Sequence, residues 1–164
     1  MVFPSPIRSA PYSIESQWID YNGHFNMAYY NVLFDRDSDV ALDLVGLGPA
    51  YVEKIGNSYF TLEAHISYLR ELGEKDQVWI ATQFLDFDSK RLHYVQMMHH
   101  AKQDWISCVT ENIIMHVDMA SKKSSPFPAD VLEKITIAHE AHKSLPVPLQ
   151  VGHKIGIPRK TQQS

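Results

Sequence analysis

One cysteine in 164 residues leaves Cys108 without an internal disulfide partner, and with no CxxC pair the chain suits a reducing compartment. No apolar run approaches the roughly 20 residues that a membrane-crossing helix needs. The opening, MVFPSPIRSAPY, has three prolines and no apolar core segment, so it does not read as a secretory signal. Excess positive charge is lacking too: 15 Lys and Arg stand against 19 Asp and Glu, a net charge of −4. That balance gives no electrostatic footprint for nucleic acid. The short basic spots Lys90-Arg91 and Lys122-Lys123 suit one small phosphorylated ligand instead. No internal repeat occurs. The expectation is a soluble, cytoplasmic protein.

What is present is globular: 45% hydrophobic and 21% charged residues, at a length that fits one domain per roughly 150 residues. Tyr12 to Trp18 alternates in part and reads as an edge strand. From Asn26 the period changes. Met27, Tyr30, Phe34, Ala41 and Leu44 recur at helical spacing, which predicts one amphipathic helix ending near GLGP, Gly46 to Pro49. Asp37 falls on its apolar face, where a carboxylate is costly unless paired or facing a wet cavity. A short second helix covers Ala50 to Ile55.

After Gly56-Asn57 the period becomes two. Phe60, Leu62, Ala64, Ile66 and Tyr68 alternate with Thr61, Glu63, His65 and Ser67, the pattern of a long half-buried strand. Gln77 to Asp88, Arg91 to Ala101 and Trp105 to Asp118 are three further strands. The breaks GEKD, DSK and KQD are turn signals, predicting a four-strand meander joined by hairpins. A sheet curled round one long helix is an α+β layer. Ser125 to Ile135 closes the domain with a short helix. The domain is expected over 1–138, and 139–164, rich in proline, as a tail loosely attached or packed on a partner subunit.

Several signals fail. GNSYF has Phe60 where a nucleophile elbow needs glycine, and it leads into a strand. GLGPAY follows a helix and lacks the last glycine of a dinucleotide loop; Gly48 then Pro49 read as a helix C-cap. His99 and His100 are neighbours in a strand and point to opposite faces, and no cluster has metal-ligand spacing, so no metal is expected. Cys108 reads as a small buried thiol.

The stretch Asp20-Tyr21-Asn22-Gly23-His24-Phe25-Asn26 carries the chemistry. Gly23 permits a turn that other residues resist, and Asn26 is a favoured N-cap. The first helical N–H groups, from Met27 onward, lack intrahelical partners and sit at the positive end of the helix dipole. That tip suits an oxygen gaining negative charge, and Asp20 beside it would be a base or nucleophile for acyl transfer. Asp20 serving only to hold the turn is the alternative, and spacing leaves both open.

The run D-x-x-G-H-x-N, followed by a tyrosine in the helix, resembles the signature loop of hot-dog-fold acyl-CoA thioesterases of the 4-hydroxybenzoyl-CoA thioesterase type, and the likeness covers roughly Tyr12 to Ile135. It implies a hot-dog fold, Asp20 as the catalytic aspartate in a loop with Gly23, His24 and Asn26, and the backbone N–H near Met27 as the oxyanion site. It also implies a homodimer or homotetramer with the active site between subunits, CoA as leaving group and no required cofactor or metal. WIDYNGHFNMAYYNVLFDRDSD, GLGPAYVE, FTLEAHISYLREL and KRLHYVQMMHHA are similar to the betainyl-CoA thioesterases of carnitine breakdown, in their standalone form. Met27 departs from the wider pattern, where many relatives carry asparagine, which leaves only its backbone role.

Trp18, Tyr21, Phe25, Tyr29 and Tyr30 crowd the loop. Aromatic faces attract a quaternary ammonium by about 0.5–2 kcal/mol per contact, and Asp37 would add a counter-charge. Ordinary core and subunit packing explains the same aromatics. Lys90, Arg91, Lys122 and Lys123 are the candidates for the CoA phosphates. The expected function is hydrolysis of a small acyl-CoA, betainyl-CoA first. The alternatives are an aromatic or medium-chain fatty acyl-CoA thioesterase and a non-catalytic acyl-CoA-binding domain.

Overall fold

The computed structural model describes residues 3–157. Asn26 starts the long helix as its residue type predicts: its backbone is extended and its side-chain oxygen accepts from the Ala28 N–H at 3.0 Å. Helix α1 then runs Met27–Asp43 and buries Tyr30, Leu33, Phe34, Asp37, Ser38, Ala41 and Leu42. It stops at Gly46, whose φ of 87° is the left-handed conformation that ends helices. The expected cap at Gly48 is therefore corrected. Gly48 has an ordinary φ of −69° and is the N-cap of α2, Pro49–Ile55. A Cβ at Gly48 would fall 2.1 Å from the Asp43 carboxylate, so close approach is what demands glycine there.

The sheet is built from β1 (Ile7–Arg8), β2 (Tyr12–Ser13), β3 (Asn57–Tyr68), β4 (Gln77–Phe87), β5 (Arg91–His100), β6 (Ile106–Asp118) and β7 (Lys123–Ser124). Its order is β1-β4-β5-β6-β3, all antiparallel, with β2 also on β4 and β7 on β6. The single expected strand from Tyr12 to Trp18 is replaced by the two-residue β2 and a 3₁₀ turn, Ser16–Trp18.

The predicted hairpin at GEKD does not form. β3 pairs with β6, and residues 69–76 cross between β3 and the far edge at β4. Leu72, 2% exposed, anchors that crossing in the core, and its carbonyl accepts from the Phe25 N–H at 2.8 Å. Consequently β3 is an edge strand, where Phe60 and Leu62 remain about half exposed.

Strand alternation sorts the sheet into two faces. Leu92, Tyr94 and Met98 of β5, and Cys108 and Ile114 of β6, face α1 in the core. Helix α3 runs Ala129–His142, so it continues past Ile135 and past the expected boundary at 138. Its last residue is fully buried: the His142 Nδ1 accepts from the Phe84 N–H at 3.0 Å and its Nε2 bonds the Pro4 carbonyl at 2.8 Å.

The following segment lies on the outer face of its own sheet. Gln83, Val95, Glu111 and His65 form one row across four strands. The Leu145 carbonyl meets Gln83, the Gly152 N–H donates to Glu111 at 2.7 Å, and His153 lies against His65. The tail follows that row, which explains why outward-facing Val95 is fully buried. The part of the expected tail from Pro158 onward lies outside the described residues.

Candidate active site

The loop before α1 is a pinched turn. Ile19 bridges Phe25, the Asn26 N–H donates to the Trp18 carbonyl at 2.9 Å, and Asp20 and His24 exchange a backbone bond at 2.9 Å. Gly23 turns the chain at φ 79°, where a Cβ would meet no atom within 4 Å, so backbone conformation alone selects glycine. These bonds set residue 18 opposite residue 26 and residue 20 opposite residue 24, so Asp20 lies two residues along the turn from the start of α1. Asp20 is half-buried, and its Oδ1 accepts from the Asn22 N–H at 2.8 Å and the His24 N–H at 3.2 Å. Holding the turn is thus one thing Asp20 does. It uses one oxygen, and the carboxylate's second oxygen is not engaged in those bonds.

At the helix tip, Met27 is the first helical residue, so its N–H has no intrahelical acceptor. Its side chain is 66% exposed, consistent with a role confined to the backbone. The Tyr68 hydroxyl donates to the Met27 carbonyl at 3.1 Å, fixing the tip to the end of β3. Sequence reasoning did not single out Tyr68. It lay in the right alternating set, but nothing local tells which strand end meets the helix. His24 lies on the exposed rim, 3.4 Å from Glu71.

The aromatics divide. Trp18, Phe25 and Tyr30 are each 4% exposed and belong to the core. Trp18 stacks on Tyr29 with centroids 5.6 Å apart, Phe25 meets Tyr30 at 4.3 Å, and Tyr30 meets Tyr68 edge-on at 5.3 Å. They pack against one another, only Trp18 and Tyr29 face to face, and so stiffen the loop within one protomer. Tyr21 stands apart at 96% exposure.

Asp37 is not brought to the loop. It lies about 15 Å of helix rise beyond Met27, buried between α1 and the sheet. There its Oδ2 accepts from Thr82 at 3.0 Å and Gln96 at 3.1 Å. Burial pushes its carboxyl up to about 6, against the lowering effect of those bonds. Burial likewise pushes the Cys108 thiol up to about 12, which leaves it a packing residue as expected.

The four basic candidates also lie elsewhere. Lys90 and Arg91 follow the β4–β5 turn, where Arg91 pairs with Asp88 and the Lys90 Nζ lies 3.3 Å from the Ser124 hydroxyl beside Lys123. Val78 pairs His100 at the loop end of the sheet and Phe87 pairs Leu92 at the other, a separation of about 30 Å. Two clefts of the protomer, of about 760 and 450 Å³, are lined by residues other than Asp20. Among the described residues no group of His, Cys, Asp or Glu is arranged to hold a metal, and no helix is long and apolar enough to cross a membrane.

A protein from Staphylococcus aureus, solved in complex with CoA, superposes with a TM-score of 0.87 at 27% identity, over 95% of this chain and 99% of that one. A putative thioesterase from Pseudomonas putida gives 0.82 at 31% identity, over 96% and 100%. In sequence, the chain is 36% identical over 142 residues to the betainyl-CoA thioesterase of Pseudomonas aeruginosa, covering 87% of this chain and 89% of that protein. It is 35% identical over 151 residues to the L-carnitine dehydrogenase/betainyl-CoA thioesterase of Rhizobium meliloti, and spans 30% of that longer protein. The thioesterase-like superfamily model matches residues 14–135, which include the pinched loop, α1 and the whole of β3 to β6, and the chain belongs to that superfamily and has its hot-dog fold.

Proposed function

We propose that the protein hydrolyses the thioester of a small acyl-CoA, with betainyl-CoA the first substrate to test and glycine betaine and CoA the products. The observation that carries the catalytic reading is the pinched loop. Bonds between residues 18 and 26 pin the turn that carries Asp20 to an exposed helix start, with one carboxylate oxygen fixed by two backbone N–H groups. The thioester carbonyl oxygen accepts from the Met27 N–H, where the helix dipole favours the charge that develops on it. Asp20 takes a proton from water as the hydroxide adds to the carbonyl carbon. The tetrahedral intermediate then expels CoA thiolate, which recovers a proton. In the nucleophilic variant, Asp20 itself attacks the carbonyl carbon and expels CoA thiolate, and water opens the resulting anhydride to return the Asp20 carboxylate and the free acid. Similarity to two betainyl-CoA thioesterases over most of the chain supports the choice of acyl group.

The site as read is shared by two protomers. A β3-to-β3 association about a two-fold axis reverses the neighbour, setting its Lys90, Lys122 and Lys123 end beside this protomer's loop. The CoA phosphates then have basic side chains within reach from the partner.

Asp20→Asn keeps the acceptor for the turn and removes the base. Its kcat/KM, followed by release of the CoA thiol, should fall about a thousandfold. A variant hydrolysing every accepted thioester at the original rate overturns this reading.

A further inference from the structure

The 450 Å³ cleft lies between the second half of α1, α2 and the start of β3. Leu47, Pro49 and Val52 give it an apolar side, and Tyr59 with two carboxylates, Asp39 and Glu53, completes it. No basic side chain lines the cleft, and neither carboxylate has an ion-pair partner among the described residues. The Tyr59 hydroxyl donates to the Asp39 Oδ1 at 3.0 Å, which fixes both side chains. A methyl-clad cation asks for this chemistry: apolar and aromatic contact, negative charge nearby, and no demand for directed hydrogen bonds.

Within one protomer the cleft cannot serve the catalytic loop. Asp39 lies about 18 Å of helix rise beyond Met27, farther than a small acyl group reaches. Two bonds fix where each lies along β3: Tyr68 at one end holds Met27, and Tyr59 at the other holds Asp39. β3 is a twelve-residue edge with Phe60 and Leu62 half exposed near its middle, and exposed Val40, Leu44, Val52 and Ile55 extend that apolar surface onto α1 and α2. A second copy is the occupant this face fits. If two such edges meet about a two-fold axis through their middles, the partner's Tyr59 comes opposite this protomer's Ile66, two residues from Tyr68, across the roughly 5 Å spacing of neighbouring strands.

We propose that Asp39 and Tyr59 of each protomer form the acyl-group pocket for the catalytic loop of its partner, and that this pocket selects a cationic, quaternary-ammonium acyl group. The assignment rests on Asp20 acting as the hydrolytic group, and the experiment separates the two. Its readout is the ratio of kcat/KM for betainyl-CoA to that for the neutral isostere 3,3-dimethylbutyryl-CoA. Asp39→Asn and Tyr59→Leu should each lower the ratio about tenfold, and circular dichroism with sedimentation checks that fold and assembly survive. Two variants guard against one that fails to fold. Mixed dimers of Asp20→Asn with Asp39→Asn subunits, co-expressed with different tags, then decide the geometry. A pocket acting across the interface leaves one site with both residues intact, so the mixed dimer recovers the original ratio. A mixed dimer that keeps the lowered ratio of Asp39→Asn overturns the proposal. So does a ratio near one in the unaltered protein, while Asp20-dependent hydrolysis stands. An Asp20→Asn protein with full turnover overturns the hydrolytic reading instead.

Discussion

A carboxylate that holds its own turn is also held in place for its neighbours, and Asp20 shows why the two readings of its spacing were never exclusive. Its partners, Asn22 and His24, lie within four residues, so the turn could be read from residue types alone. Asp37 is the opposite case. Thr82 and Gln96, which satisfy it, are 45 and 59 residues away, and no local pattern announces them. Its raised carboxyl means that folding favours the protonated form. That contribution to stability is complete below 3.8 and declines as pH rises to about 6, above which a buried charge persists. Asp37→Asn keeps an oxygen for Thr82 and Gln96 without the charge. Thermal melts should show the variant more stable at pH 8, by on the order of 3 kcal/mol at most, with the gap closing toward pH 4. An equal gap at both pH values would contradict buried charge as its cause.

Among the elements, α1 was the most readable, because its start and its apolar stripe are both local properties of the chain. Asn26 is the cap in fact as in expectation. Asn26→Ala should cost about 1 kcal/mol in denaturant unfolding and, by freeing the Ala28 N–H, lower kcat more than it raises KM. A loss of stability with unchanged kcat would separate the cap from the oxyanion tip. The strands were found, and DSK and KQD join β4 to β5 and β5 to β6 as expected, but the neighbour of β3 was misjudged. GEKD has the composition of a hairpin turn, yet Leu72, just before it, has a place in the core that only a crossing segment can reach. Burial of one leucine overrode the turn signal. The end of α1 misled in the same way: two glycines two residues apart serve different ends, Gly46 for its left-handed backbone and Gly48 for its closeness to Asp43. Only the packed structure separates those reasons.

For the whole molecule, strand order is the fact with most reach, and it was the one least accessible from local patterns. Placing β3 at the rim puts the loop and the 450 Å³ cleft at opposite ends of one strand, so the proposed site draws on two protomers. Asp39 and Tyr59 gain significance from that arrangement, although the sequence pattern drew attention to Asp37. The same order sets the basic turn after β4 at the far end of a ladder about 30 Å long, where the proposed reversed neighbour would meet it.

The bare rim of β3 has a consequence for how stability is to be measured. One free edge along a twelve-residue strand, with Phe60 and Leu62 half exposed near its middle, makes an isolated subunit prone to stick to whatever strand it meets. If self-association is what shields this rim, folding is subject to mass action. The melting temperature should then climb as the solution is made more concentrated, by an amount that follows the dimer dissociation constant. A melting point indifferent to a hundredfold dilution would mean that the rim is stable in water alone.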